Sequence, residues 1–292
     1  MFELVQAGEK SYYVNSPAKI GVYAPGGGDV YFIDSGSDKD AGRKMRQYLD
    51  KNGWKLRGIL VTHSNADHIG GCRYLQQQTG CKVFAPGIER AFSQFPILEP
   101  SFLYGGYPPA DLRHKFLLAQ ECDAVDVTDP DFPPEVEIIP LPGHFFHMVG
   151  YRLPDGTVFM ADCVSSPETL EKYQVGFIYD VAAYLDTLDK AAAMEAKLFV
   201  PAHTPACPSM GELADINRKK VLEIGEKIVA LCAGPANFEA ILQKIFQDYG
   251  LEMDFAQYVL VGSTVRSYLS WLKDTGRLTA EFSDGMLLWK AV

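Results

Sequence analysis

Apolar residues near the start of the chain fall into short alternating runs parted by turns. Residues 11–14, 20–23 and 30–33 each read as a strand, and together they predict a β-meander. The stretch Pro25-Gly26-Gly27-Gly28-Asp29 joins the last two; no Lys-Ser/Thr follows it and the next segment is a strand, so it predicts a hairpin turn, not a phosphate loop. The period then lengthens. Met45, Tyr48 and Leu49 share one face of a helix that begins near Asp38 and closes at Asn52-Gly53. Residues 58–61 form a continuous apolar run, the pattern of a buried strand, and lead straight into Thr62-His63. A second helix over 72–79 and a strand over 82–85 follow. Strand, helix, strand predicts layered α/β architecture.

Residues 86–135 lose this regularity and are rich in Pro, Gly and aromatics, which predicts an irregular insertion near a site, with Phe102, Tyr104 and Tyr107 as either pocket or lid residues. Strands resume at 136–139, 150–153 and 158–160, then a helix over 181–196 and a strand over 198–200. The α/β pattern ends near His203, giving one unit over 1–210 and a C-terminal helical unit over 211–292. In the latter, 212–232 reads as a helix, and 237–292 as two short helices, a third over 264–274 and a hairpin turning at Asp284-Gly285. That order resembles a winged helix. Val265, Tyr268, Leu269 and Leu272 share a face, as core residues do.

Composition narrows the function. The 292 residues are 47% hydrophobic and 22% charged, as in ordinary globular proteins. A formal net charge of -10 argues against a nucleic-acid or anionic-membrane binder. Residues 237–292 hold seven Asp and Glu against five Lys and Arg, so Arg266, Lys273 and Arg277 read as a solvated face. The chain lacks a leader-like N-terminus and any run of 18 apolar residues, so a cytoplasmic protein with no membrane contact is expected. Six cysteines show no CxxC pair, and buried thiols are expected.

The segment Thr62-His63-Ser64-Asn65-Ala66-Asp67-His68-Ile69-Gly70-Gly71 sets four donor side chains within six residues, just beyond a buried strand. His63 and Asn65, two apart, project the same way, and Gly70-Gly71 permits close backbone approach. Pro142-Gly143-His144, Met160-Ala161-Asp162 and Pro201-Ala202-His203 each follow a later apolar strand. In this order the chain resembles the metallo-β-lactamase superfamily, whose His-x-His-x-Asp-His signature it carries with Asn65 for the second histidine; Asp34-Ser35-Gly36 also resembles a family turn.

The resemblance implies an αββα sandwich with a small C-terminal helical, winged-helix-like domain. It implies one metal at His63, His144 and Asn65, another at Asp67, His68 and His203, and Asp162 bridging. One or two divalent ions are expected, zinc first, with manganese or iron compatible with the donors. Metal-held water would ionise near neutral pH to act as hydroxide, with Asp67 as the catalytic residue that orients it. Asn65, a weaker ligand than imidazole, is expected to weaken the first position. His147 reads as a surface or hydrogen-bonded histidine, with replacement of the missing ligand as the alternative. Cys163 reads as a buried thiol, with metal ligation as its alternative. The expected function is hydrolysis of a small-molecule ester, thioester or lactone. The alternatives are an RNA or phosphodiester nuclease, an iron-dependent redox enzyme, and a non-catalytic degenerate metal-binding protein. Self-association, where it occurs, is expected through the C-terminal unit.

Overall fold

A computed structural model describes residues 2–292. Seven strands, β1 (Glu3–Gln6), β2 (Ser11–Asn15), β3 (Ile20–Gly26), β4 (Asp29–Ile33), β5 (Lys55–Leu60), β6 (Lys82–Ala85) and β7 (Ala124–Asp126), form one sheet in chain order. Pairing is antiparallel up to β4 and parallel beyond it. A second sheet runs β11-β10-β9-β8, from β8 (Glu137–Pro140), β9 (Val149–Arg152), β10 (Thr157–Ala161) and β11 (Leu198–Pro201).

Side-chain alternation along these strands divides the core into three layers. On β4, Val30 and Phe32 face the helices α1 (Lys39–Asn52) and α3 (Cys72–Thr79) in one cluster with Met45, Leu49 and Leu75. Ile33, which points to the opposite face, joins Leu60, Phe84, Tyr151, Phe159 and Val200 between the two sheets. On β10, Val158 and Met160 turn away to pack with residues of α7 (Val181–Ala193) and α8 (Gly211–Leu231). Helix, sheet, sheet, helix is therefore the layer order.

Helix α1 starts where the pattern predicts: Asp38 accepts hydrogen bonds from the N–H groups of Asp40 and Ala41, and Gly53 closes the helix in the left-handed conformation. The turn at residues 26–29 is a hairpin, as expected.

Two expectations need correction. Residues 86–135 are not irregular: they hold α4 (Glu89–Gln94), α5 (Leu98–Tyr104), a 3-10 turn at Ala110–Leu112 and β7, the last strand of the large sheet. Pro96, Pro100 and a short strand of three residues hid these elements from periodicity. In the C-terminal region, α9 (Phe238–Tyr249) and α10 (Phe255–Asp274) replace the three expected helices; Gly262 lies inside α10 without breaking it, because Phe238 and Leu242 pack over it. A helix not foreseen, α6 (Pro167–Tyr173), buries none of its residues and so carries no apolar stripe. The hairpin of β13 (Leu278–Ser283) and β14 (Met286–Ala291) is present, with the short β12 (Ala236–Asn237) on the outer side of β14.

The largest core cluster runs without interruption from Leu141 and Val158 through Leu188 and Ile224 to Tyr268 and Leu272, so the C-terminal helices share a core with the second sheet. Among the described residues, no helix is long and apolar enough to cross a membrane.

Candidate metal centre

Every candidate ligand sits just past a strand end, on the short helix α2 (Ala66–Ile69) or, for Asn65, at the residue that caps its start. His63 follows β5, His144 follows β8, Asp162 follows β10 and His203 follows β11, so both sheets direct side chains to one end of the sandwich. Glycine makes the docking of α2 possible: a side chain at Gly70 would strike the backbone of Ser37, and one at Gly71 the carbonyl of Ser35. The turn at Asp34 in turn receives α2, with the Ser35 N–H and hydroxyl both donating to the His68 carbonyl, at 2.7 and 2.9 Å.

The imidazoles share one orientation. His68 Nδ1 lies 2.8 Å from Asp34 Oδ2, His144 Nδ1 lies 3.0 Å from the Phe177 carbonyl and His203 Nδ1 lies 2.8 Å from the Pro17 carbonyl. His63 Nδ1 lies 3.1 Å from Thr62 Oγ1. Nδ1 is thus engaged in all four, and Nε2 is left for the centre, an arrangement that fixes both tautomer and ring direction.

Asp162 is the shared carboxylate. Its Oδ2 lies 3.2 Å from His203 Nε2, 3.7 Å from His144 Nε2 and 3.9 Å from His63 Nε2, while Oδ1 lies 3.2 Å from His68 Nε2. Asp67 Oδ2 lies 3.3 Å from His203 Nε2 and 3.8 Å from His68 Nε2. Two triads have their donor atoms within 4.8 Å of one another: His63, His144 and Asp162, and Asp67, His68 and His203.

Buried atoms without partners test whether these residues suit a cation. Among the described residues, the buried side-chain atoms left without a hydrogen bond include His63 Nε2, Asn65 Oδ1, and His68 Nε2 and Asp162 Oδ1, which face each other at 3.2 Å as a charge pair only. Each unpaired polar atom costs about 1–3 kcal/mol, and four of them come from the candidate ligand set. Three are lone-pair donors of the type zinc, manganese and iron accept, and the fourth is an amide oxygen. The residues fit a metal.

Electrostatics agree with a crowded donor cluster. Burial, with the neighbouring His68, pushes His63 well below the usual histidine range, and burial lowers His144 too. His203 is pushed up to about 10, chiefly by Asp162. Burial opposes the charge on His68, but Asp162, Asp67 and Asp34 outweigh it and hold that ring well above the usual value. Burial likewise opposes ionisation of Asp162, and His203 and His68 hold it low.

Backbone strain concentrates here. Asp34 and Ala161, neither a glycine, adopt positive φ of 63° and 49°. Asp34 is held there by its carboxylate, which accepts from Thr62 N and Thr62 Oγ1, each at 2.7 Å, besides facing His68. Ala161 lies at a register shift between β10 and β11, just where the chain must turn Asp162 inward.

His147 does not join the cluster: its Nδ1 accepts from the Ile88 N–H and its ring packs against Gly87. Cys163 is fully buried, burial pushes its thiol far up, and it belongs to neither triad. The sequence pattern gave no sign of Glu89 and Glu99. Both are buried, one on each helix of the 86–135 stretch. Glu89 accepts from Ser64 N at 3.0 Å, Ser64 Oγ at 2.5 Å and His147 N at 2.7 Å; burial pushes it up to about 6. Glu99 accepts from Asn65 Nδ2 at 2.7 Å. A carboxylate in an otherwise unpatterned segment gives no periodic signal.

Beside the centre lies a cavity of about 70 Å³, floored by His144, Asp162 and His203. Leu170, Phe177, Ile178, Val221 and Ile224 wall it, so α8 of the C-terminal region closes the site. Lys220 also lines it, with Nζ held by Gln174 at 2.7 Å and Glu223 at 3.1 Å.

The family model of the metallo-beta-lactamase superfamily matches residues 16–203, well over half of the chain. Among solved structures, a beta-lactamase domain protein from Burkholderia ambifaria superposes with a TM-score of 0.75 at 16% identity, covering 99% of this chain and 94% of that one. A metallo-beta-lactamase family protein from Thermus thermophilus gives 0.72 at 16% identity, covering 97% and 99%. Curated relatives match over shorter stretches. A hydroxyacylglutathione hydrolase from Rhodopseudomonas palustris (strain ATCC BAA-98 / CGA009) is 34% identical over 119 residues, 40% of this chain and 38% of its own length. One from Bradyrhizobium sp. (strain ORS 278) is 39% identical over 70 residues, 24% and 26%. The matched fold, extending over nearly the whole chain, and the family model, ending on His203, agree with the ligand geometry: the chain belongs to the metallo-β-lactamase superfamily.

Proposed function

We propose that this chain is a metal-dependent hydrolase acting on a small acyl substrate, a thioester foremost. The observation that carries the reading is the convergence of four Nε2 atoms and the Asp67 and Asp162 carboxylates beside a largely apolar cavity. A divalent ion there, zinc first and manganese or iron alternatively, supplies Lewis acidity that activates water and polarises a carbonyl. His63, His144, Asp67, His68 and His203 would hold it, with Asp162 shared between two positions and Asn65 at the first. Asp67, the more exposed of the two central carboxylates, stands where it can orient attacking water, and His68 and His203 outweigh burial to keep it ionised. Leu170, Phe177 and Ile178 exclude water from the acyl group.

Thioester rather than phosphodiester substrates are supported by the cavity's charge. Its one basic side chain among the lining residues besides the histidines, Lys220, is already engaged by Glu223 and Gln174, leaving no cationic path for a polyanion. The curated relatives carry the name hydroxyacylglutathione hydrolase, and an acyl group on the thiol of glutathione is a thioester. A panel of acyl thioesters, lactones, β-lactams and phosphodiesters assayed on metal-loaded protein tests this. Turnover is expected to be fastest on small acyl thioesters and to fall at least about 100-fold in Asp67→Ala. Phosphodiester cleavage without thioester turnover points to the nuclease reading instead, and silence across the panel to a degenerate site.

A further inference from the structure

Asn65 occupies the one position where the donor set departs from the family pattern, and a single side chain decides how its amide is presented. Its Nδ2 donates to Glu99 Oε1 at 2.7 Å, while its Oδ1 is buried without any partner. Glu99 is 4% exposed, in the first turn of α5, and the Ala66 N–H is a second donor to it. Both named neighbours of that carboxyl are donors, so its oxygens serve here as acceptors, while burial holds the carboxyl well above the usual carboxylate range. Rotating the Asn65 amide by half a turn would give up the bond from Nδ2 to Oε1, set Oδ1 against that accepting oxygen and present N–H groups in place of the amide oxygen. Glu99 opposes that rotation.

We infer that Glu99 is a positioning residue that makes Asn65 a working metal ligand, by locking its amide with the oxygen free and by drawing electron density toward that oxygen through the Nδ2–H bond. The inference rests on the metal-centre reading above. The Asn65-Glu99 pair then stands in for an imidazole and its carboxylate partner, the arrangement His68 and Asp34 show in this same site. It also gives the 86–135 stretch a role: α5 delivers the carboxylate and α4 delivers Glu89 to the adjoining residue, Ser64.

The test is metal affinity, read by competition with a chromophoric chelator and by the visible spectrum of cobalt-loaded protein, on wild type, Glu99→Met, Glu99→Gln, Asn65→Ala and the Asn65→Ala/Glu99→Met double variant. Thermal unfolding of each metal-free variant checks that it is folded. Wild type is expected to bind two equivalents. Glu99→Met, which cannot accept a hydrogen bond, should weaken one of them by about 10–100-fold and alter the cobalt spectrum. Glu99→Gln, which keeps an acceptor oxygen, should recover part of the loss. In the Asn65→Ala background Glu99→Met should change affinity less than twofold, because the ligand it acts through is gone. A folded Glu99→Met protein that binds both ions like wild type overturns the inference alone, as does an equal loss in the Asn65→Ala background. A wild type that binds no metal overturns the metal reading and this inference together.

Discussion

Asp34 shows how one residue is asked to do several things. It adopts a left-handed backbone, takes two hydrogen bonds from Thr62 and aligns His68, and each of these supports the others. Its replacement by alanine removes the partner that fixes the His68 ring, and metal affinity should fall about 10–100-fold, measured by chelator competition. Glu89 lends itself to a pH test. Its carboxyl is raised from an ordinary 4.5 to about 6 by burial, so the folded chain holds this proton more tightly than the unfolded chain. Stability from Glu89 is therefore present below pH 4.5 and is lost as pH rises through 6. Between about pH 4.5 and 7.5 the stability advantage of wild type over Glu89→Gln should shrink by about 2 kcal/mol, a difference in which the histidine titrations cancel. Denaturant unfolding at the two pH values measures it; a constant difference contradicts this account of Glu89.

At the scale of elements, strands that end at the site and helices that start near it were legible in the sequence because they repeat. Val30 and Phe32 against Ile33, or Val158 and Met160 against Phe159, alternate with a period of two, and Asp38 and Gly53 bracket α1 with recognisable caps. Asp38 also pairs with Lys115 at 2.8 Å, tying α1 to the 86–135 stretch. Asp38→Ala should cost about 1 kcal/mol through the lost cap, seen as a lower denaturant midpoint at unchanged slope. The ligands were legible for a different reason, since each follows an apolar run in a fixed order. What could not be read is what meets them from far along the chain. Glu99 reaches Asn65 across 34 residues and Asn217 receives the Ser165 N–H across 52, and neither separation leaves any trace in local spacing.

For the whole molecule, the shared core matters most. Ile224, Tyr268 and Leu272 from the C-terminal helices pack in the same cluster as Leu141 and Val158 from the second sheet, and Val221 and Ile224 wall the cavity. The division near residue 210 suggested by the end of the α/β pattern is thus crossed by continuous packing. Unfolding should proceed in one cooperative transition by near- and far-ultraviolet circular dichroism alike, and a chain ending at residue 210 should not fold to a metal-binding state. Two separated transitions would show that the C-terminal helices are independent of the site.

The expectations about activity and metal affinity depend on the donor cluster holding metal through Asp162, the carboxylate within 3.9 Å of all four Nε2 atoms. Elemental analysis of zinc-loaded, desalted protein tests that dependence most directly. Two ions per chain in wild type and a near-complete loss in folded Asp162→Ala are predicted; a wild type carrying none, or an Asp162→Ala protein that keeps both, would contradict it.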